Sequence, residues 1–258
     1  MNDLVSIITP SYNTSSYISY TIQSVIEQTY TNWEMIIVDD CSTDNTDEIV
    51  ESFLFDKRIK YIKNSKNIGA ALSRNKALKE AKGRWIAFLD SDDLWKPDKL
   101  EKQISFMINN DYHFSYTNYS EIDDDGSSKG IMWTGPKTIG KYRMKLFNYM
   151  GCLTVMYDYH YVGLIQISDL KKRNDYALWI KVSEKCKAYL LNDNLAYYRV
   201  RSSGSLMNRR KSPLNRMKFN YELWHISENK NAFISFVYTS INLIFGFAKK
   251  IIYKKRIN

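Results

Sequence analysis

Apolar positions in the first 110 residues alternate between two rhythms. Leu4-Val5-Ser6-Ile7-Ile8-Thr9 is a short, nearly continuous apolar run stopped at Pro10, which reads as a buried strand. Ile18, Ile22, Val25 and Ile26 then recur at helical spacing. Met35-Ile36-Ile37-Val38 is a second strand run, stopped by Asp39-Asp40. Asp44 or Asn45 can cap a helix with Ile49, Val50, Phe53 and Leu54 on one face. Ile59-Lys60-Tyr61-Ile62 predicts a weaker strand, and residues 70–81 a small-residue helix closed by Gly83. Trp85-Ile86-Ala87-Phe88-Leu89 is a third strong strand, and Pro97 opens a helix with Leu100, Ile104, Met107 and Ile108 inward.

This βαβα order predicts an α/β fold: a mainly parallel sheet with helices on both faces. Ligands on such sheets sit at the carboxyl ends of the strands. The polar residues to inspect are therefore 10–13, 39–44 and 90–93. Residues 111–150 are less regular, with an acidic, Gly/Ser-containing turn at 121–128. A helical pattern resumes from Lys171 through Tyr176, Leu178, Trp179 and Val182, followed by the strand-like Leu195-Ala196-Tyr197-Tyr198-Arg199-Val200. Residues 232–248 are mostly apolar, and Ser235, Thr239, Asn242 and Gly246 form one narrow stripe on a helix. Lys249-Lys250 and Lys254-Lys255-Arg256 follow. The apolar stretch, 17 residues, is at the lower edge for a membrane span. A helix lying in the membrane interface is expected; packing on the domain or on a second copy competes with it.

Charge sharpens that division. The 258 residues carry a net +9, but residues 199–258 hold 13 Lys and Arg against 2 acids, leaving the body at −2. An anionic partner is expected for the tail, a membrane surface in preference to nucleic acid, because the basic residues flank an apolar helix. Gly (10) and Pro (4) are too scarce for a collagen-like or low-complexity chain. Cys41, Cys152 and Cys186 are scattered, which excludes a disulfide framework or a zinc cluster and suits a reducing compartment. Met1-Asn2-Asp3-Leu4 lacks the basic and apolar pattern of a secretory leader, so a cytoplasmic protein is expected. His113, His160 and His225 show no metal spacing; His160 is a weak acceptor-site candidate or a packed neighbour of aromatics.

Four clusters carry chemistry. Asp90-Ser91-Asp92-Asp93 places three carboxylates after a buried strand, and their repulsion asks for a cation. Mg²⁺ or Mn²⁺ takes a few carboxylate oxygens and completes its shell with phosphate and water. Asp39-Asp40 can accept hydrogen bonds from a ribose or from a uracil N–H, or can cap the next helix. Thr9-Pro10-Ser11-Tyr12-Asn13 offers a rigid turn, an aromatic ring and small polar groups. Arg74 lies near a helix start, within reach of a phosphate or a base carbonyl, or on a solvated face.

These blocks, with Gln28-Thr29-Tyr30, Asn32-Trp33-Glu34, Asp39-Asp40-Cys41-Ser42-Thr43-Asp44 and Asn67-Ile68-Gly69-Ala70-Ala71-Leu72-Ser73-Arg74-Asn75, resemble glycosyltransferase family 2 in order and spacing. Members are inverting sugar-nucleotide transferases of GT-A fold, a Rossmann-like sheet. The resemblance implies a catalytic domain at 1–205, with a nucleotide-sugar half at 1–110 and an acceptor half at 111–205, and a helical, membrane-associating tail at 206–258. It implies that Pro10, Ser11, Tyr12 and Asn13 line the nucleobase. Asp40 or Asp39 then holds the uracil or ribose, Arg74 the base or diphosphate, Asp90 and Ser91 the ribose region, and Asp92 with Asp90 the Mn²⁺ or Mg²⁺. Lys171-Lys172-Arg173-Asn174-Asp175-Tyr176-Ala177-Leu178-Trp179 resembles the family's second block, which makes Asp175 the general base; Asn174 stands where Glu is common. Arg199 and Arg201, in Leu195-Ala196-Tyr197-Tyr198-Arg199-Val200-Arg201-x-x-Gly204-Ser205, resemble the family's basic pair near the diphosphate.

The expected activity is single transfer from a nucleoside-diphosphate sugar, UDP-linked, to a glycan or lipid-linked acceptor in O-antigen, capsule or teichuronic-type synthesis. The expected place is the inner face of the plasma membrane. A Gln-x-x-Arg-Trp block and repeated spans, the marks of polymer synthases, do not occur. Two other classes remain open: a sugar-nucleotide nucleotidyltransferase, disfavoured because residues 9–13 hold no Gly or basic residue, and a non-catalytic membrane-anchored module.

Overall fold

The computed structural model describes residues 3–202 and 212–257. Strands β1 (Val5–Ser11), β2 (Trp33–Asp39), β3 (Ile59–Lys63) and β4 (Trp85–Phe88) lie parallel in the order β3-β2-β1-β4. Every residue of β1, β2 and β4 is buried, so each strand feeds two cores by alternation. Ile8, Ile36, Val38, Ile86 and Phe88 face one core with Leu78 of α3 (Ala70–Glu80). Val5, Ile7, Met35 and Ile37 face the other, with Ile18, Ile22 and Val25 of α1 (Ile18–Ile26) and Leu100, Ile104 and Met107 of α4 (Lys99–Asn109). The predicted parallel sheet with helices on both faces is thus present. The helix α2 (Thr46–Glu51) is shorter than expected; Phe53 and Leu54 lie beyond it, and Asp44 rather than Asn45 caps it, accepting the Thr46 N–H at 3.1 Å.

The second half is mixed. After β5 (Leu94–Trp95), the segment expected to be irregular contains β6 (Phe114–Ile122) and β7 (Ser128–Trp133). Their signal is masked because Ser115, Thr117, Asn118 and Ser120 of β6 are polar yet buried. The chain continues through β8 (Thr138–Ile139) and α5 (Lys141–Leu146) to β9 (Met156–Asp158), which lies antiparallel between β4 and β6. Helices α6 (Tyr159–Val162) and α7 (Asn174–Ser183) precede β10 (Ala188–Arg199), which pairs with β5, β6 and β8. Trp179 of α7 closes the core against Phe88, edge to face, with centroids 4.9 Å apart.

The tail is not a separate body. Helix α8 (Pro213–Glu222) and a π-turn (Leu223–Ser227) lead into α9 (Ala232–Ile252). A last strand, β11 (Lys254–Arg256), pairs antiparallel with β7. The polar stripe of α9 faces the protein: Ser235, Thr239 and Asn242 are buried. Asn242 accepts from Trp224 Nε1 at 2.9 Å and donates to the carbonyls of Lys145 and Leu146 at 2.9 and 2.8 Å. Gly246 lets Phe147 approach; a Cβ there would stand 2.6 Å from the ring. Phe233, Phe236, Ile244, Phe247 and Ile251 point outward and are exposed.

Candidate active site

Residues Ser11 and Asp39 are register partners at the carboxyl edge of the sheet, and Leu89 N–H donates to Ile8 at 3.2 Å. The three polar clusters 10–13, 39–44 and 90–93 therefore converge, as expected. Pro10 and Ser11 are buried, and Ser11 Oγ is 2.8 Å from Thr14 Oγ1. Tyr12 is half-exposed, leaving its ring available. Asn13, in the left-handed region at φ 49°, accepts the Thr43 N–H at 2.8 Å and ties the first loop to the second.

The two acids after β2 are held by the protein itself. Asp39 accepts from the backbone N–H of Ser42 at 2.9 Å and from its hydroxyl. Asp40 accepts from Ile68 N–H at 2.8 Å, Gly69 N–H at 2.7 Å and Asn64 Nδ2 at 3.0 Å. Gly69 has φ 88°, which a side chain resists, and this turn aims its N–H at the carboxylate before α3 begins. Asp40 thus anchors the start of α3, the helix that carries Arg74.

Arg74 is buried and joins both halves of the molecule. Its guanidinium pairs with Asp90 and also donates to Asn174 Oδ1. Asn174 begins α7, so the position where Glu is common here holds the arginine instead. Asp175 follows in the first turn, where Asn148 Nδ2 donates to its Oδ2 at 3.2 Å. The first and second halves of the fold are thereby linked as Asp90–Arg74–Asn174, next to Asp175. Cys152 lies among these charges, and burial pushes its thiol well above its ordinary range.

The three acids after β4 divide. Asp93 is buried, its Oδ1 accepts the Arg199 N–H at 2.9 Å and its Oδ2 has no hydrogen-bond partner. Burial, with the carboxylates of Asp92 and Asp90, raises it well above its ordinary value. Asp92 is raised to about 6 by burial and by Asp90, against the pull of Arg201 at 3.4 Å. Among the described residues no three His, Cys, Asp or Glu side chains gather around a metal position. Asp90 and Asp92 are carboxylates of the kind a hard divalent cation takes, and here each is paired with an arginine, Arg74 and Arg201.

Arg199 and Arg201 are brought together, their guanidinium carbons 5.1 and 4.9 Å from the centre of the Tyr17 ring. Their duties differ. Arg199 is buried and donates to the carbonyls of Asp92, Asp123 and Asp124 at 2.8–2.9 Å, fixing the β6–β7 turn beside the acids. Arg201 keeps a buried Nε without a hydrogen-bond partner. Gly204-Ser205 lie outside the described residues. Ser91 is buried beside the acids. His160 is exposed on α6, which follows Asp158, and Asp158 pairs with Trp85 at the opposite edge of the sheet. That distance removes it as an acceptor-site residue. Tyr17, Asn148 and Asp124 were not legible as site residues, because only tertiary contacts give them their roles: the Tyr17 hydroxyl donates to Asp124 at 2.9 Å.

Residues 6–168 match the family model described as glycosyl transferase family 2. Bacillus subtilis TuaG, named for a glycosyltransferase of teichuronic acid biosynthesis, is 45% identical over 212 residues, covering 81% of this chain and 84% of TuaG. The Escherichia coli UDP-Glc:alpha-D-GlcNAc-diphosphoundecaprenol beta-1,3-glucosyltransferase WfgD is 42% identical over 208 residues, 81% of each chain. Staphylococcus aureus TarS 1-349, solved with UDP-GlcNAc, shares the fold at TM-score 0.72 and 22% identity, over 96% of this chain and 76% of TarS 1-349. The mannosyltransferase PcManGT of Pyrobaculum calidifontis, solved with GDP-Man and Mn²⁺, does so at TM-score 0.66 and 15% identity, over 95% of this chain and 75% of that one. The fold is therefore GT-A, and this chain belongs to glycosyl transferase family 2 and is a glycosyltransferase.

Proposed function

We propose that this chain transfers one hexosyl or N-acetylhexosaminyl unit from a UDP-sugar to a lipid-diphosphate-linked glycan, at the cytoplasmic surface of the membrane, in surface-polysaccharide assembly. The observation that carries this reading is the chain Asp90–Arg74–Asn174 with Asp175 beside it. It supports a reading in which the acids after β4 lie on the diphosphate side and Asp175 acts as the base. The names of TuaG and WfgD favour the substrate class.

In this reading Pro10, Ser11, Tyr12 and Asn13 form the base side of the donor pocket. Asp39 and Asp40 hold the loops that shape it. Arg201, with its unpartnered Nε, binds the diphosphate, and Arg199 positions the acids. The acceptor hydroxyl attacks the anomeric carbon while Asp175 takes its proton. The bond from that carbon to the diphosphate oxygen breaks, and the electron pair leaves with UDP. A single displacement inverts the configuration. A Mn²⁺ or Mg²⁺ ion on Asp90 and Asp92 supplies positive charge to the departing diphosphate when bound. The exposed apolar face of α9, flanked by lysines, favours an anionic membrane surface as its neighbour.

The test is a panel of UDP-, GDP- and dTDP-sugars with Mn²⁺, Mg²⁺ or chelator, offered with a GlcNAc-diphosphate-lipid acceptor and read by mass spectrometry. Transfer from a UDP-sugar is expected, with donor binding lost in Asp92→Ala and transfer lost, binding kept, in Asp175→Asn. No binding of any nucleotide sugar with any metal would overturn the reading, as would wild-type transfer by Asp175→Asn.

A further inference from the structure

The last helix delivers a cation to the candidate base. Lys249 Nζ donates to the Asn148 carbonyl at 3.0 Å, and the Asn148 side chain is the one that donates to Asp175. The ammonium lies 5.5 Å from the centre of the Trp133 ring and 5.4 Å from that of Phe147. Arg173 lies 5.9 Å from the same Phe147 ring, in the left-handed region at φ 63°, one residue before α7. Lys254 borders the patch at 6.0 Å from Trp133. Asp175 and Glu121 are acids at this place, and Glu121 Oε1 accepts from Trp133 Nε1 at 2.7 Å. Burial, then the charge of Arg173, pulls Lys249 down to about 7, while Asp175 opposes them. Cations gathered between aromatic walls in this way are a receptor for an anion of more than one charge.

We infer that Lys249 and Arg173 seat the diphosphate of the lipid-linked acceptor and so bring its first sugar to Asp175. The inference rests on the transferase reading above. The donor's diphosphate has its own arginine in Arg201, beside Asp92. Lys249 belongs instead to the helix whose outer face is apolar, where a lipid chain leaves the site along α9.

The experiment uses the full chain with its donor site filled by saturating UDP. Farnesyl diphosphate is titrated by calorimetry into wild type, Lys249→Met and Arg173→Asn; Met keeps the stem on the rings, and Asn tolerates the left-handed backbone. Glycerol 3-phosphate serves as the phospholipid head-group probe. Binding of farnesyl diphosphate weakened about tenfold or more in each variant is expected. With a GlcNAc-diphosphate-lipid and a neutral alkyl GlcNAc glycoside as acceptors, the ratio of kcat/KM values falls by about the same factor. Unchanged farnesyl diphosphate binding with an unchanged ratio overturns the seat even if transfer is intact. Glycerol 3-phosphate binding as tight as farnesyl diphosphate also overturns it, in favour of a general head-group site. If no sugar is transferred yet the Lys249- and Arg173-dependent binding persists, the seat stands and the transferase reading falls.

Discussion

In β1, β2 and β4 the apolar side chains all point into protein, and the polar strand ends converge on a site. In α9 the polar stripe points into protein, while Phe233, Phe236 and Phe247 point away from it. The same rule governs both: the less polar side of an element goes to the less polar neighbour. For the strands that neighbour is the core. For α9 the domain offers carbonyls of α5 and the Trp224 N–H, which Asn242 satisfies, and the apolar outer face stays exposed.

Four measurements break or sharpen this contrast. The largest effect is expected at the strand edge, where Arg74→Met removes a buried cation from between Asp90 and Asn174. Stability falls by about 2–4 kcal/mol, discounted for the partial exposure of Asp90, and donor affinity falls with it. Denaturant midpoints and UDP titrations read the two losses together. Next comes Asn242→Leu, which makes α9 more apolar yet leaves the Trp224 N–H and two carbonyls without partners. A loss of about 2–3 kcal/mol is expected in urea unfolding; a gain would mean that the inner face needs no polar stripe.

Lys249→Met is expected to act in the opposite direction and to depend on pH. The ammonium has a pKa of about 7 in the fold against 10.5 in its ordinary state, so folding opposes its charge. The unfolded chain binds more protons between these values, and wild-type stability rises with pH across that window. The variant therefore melts higher than wild type at pH 7 and below, and its advantage fades as pH approaches 10.5. A pH-independent difference would show that Lys249 is not desolvated. The smallest effect on stability is expected at Ile244→Ser and Phe247→Ser, within about 0.5 kcal/mol, because both side chains are exposed. Their effect appears in flotation with phosphatidylglycerol vesicles, where affinity drops about tenfold per residue. Lower stability with unchanged flotation would identify a protein surface as the neighbour of α9.

The donor half was readable because its signals are local. Apolar runs of a few residues end in acids, and the strand ends gather those acids without further information. Asp90, Asp92 and Arg74 follow from neighbours in sequence. The rest depends on distance. β6 was hidden because Ser115, Thr117 and Ser120 are polar yet lie buried, and periodicity weighs a residue by its own polarity alone. The stripe of α9 was visible, but spacing marks two faces of a helix without saying which one turns inward. Arg199 was legible as a cation but not as a clasp on three carbonyls. Asn148 and Lys249 lie about a hundred residues apart and meet because α9 packs on α5 and β11 returns to β7.

The fixed attachment of α9 has a metric consequence. Hydrogen bonds from Asn242 to α5, the contact of Phe147 with Gly246 and the β11–β7 pairing hold the helix to the domain. In the membrane-bound reading proposed above, a helix resting on lipid sets the height of Asp175 above the bilayer. A hydroxyl one sugar from the diphosphate stands at that height, and one several sugars further along a growing chain stands above it. In that reading the fold gauges acceptor length, a physical reason for a transferase of this kind to add one sugar and stop.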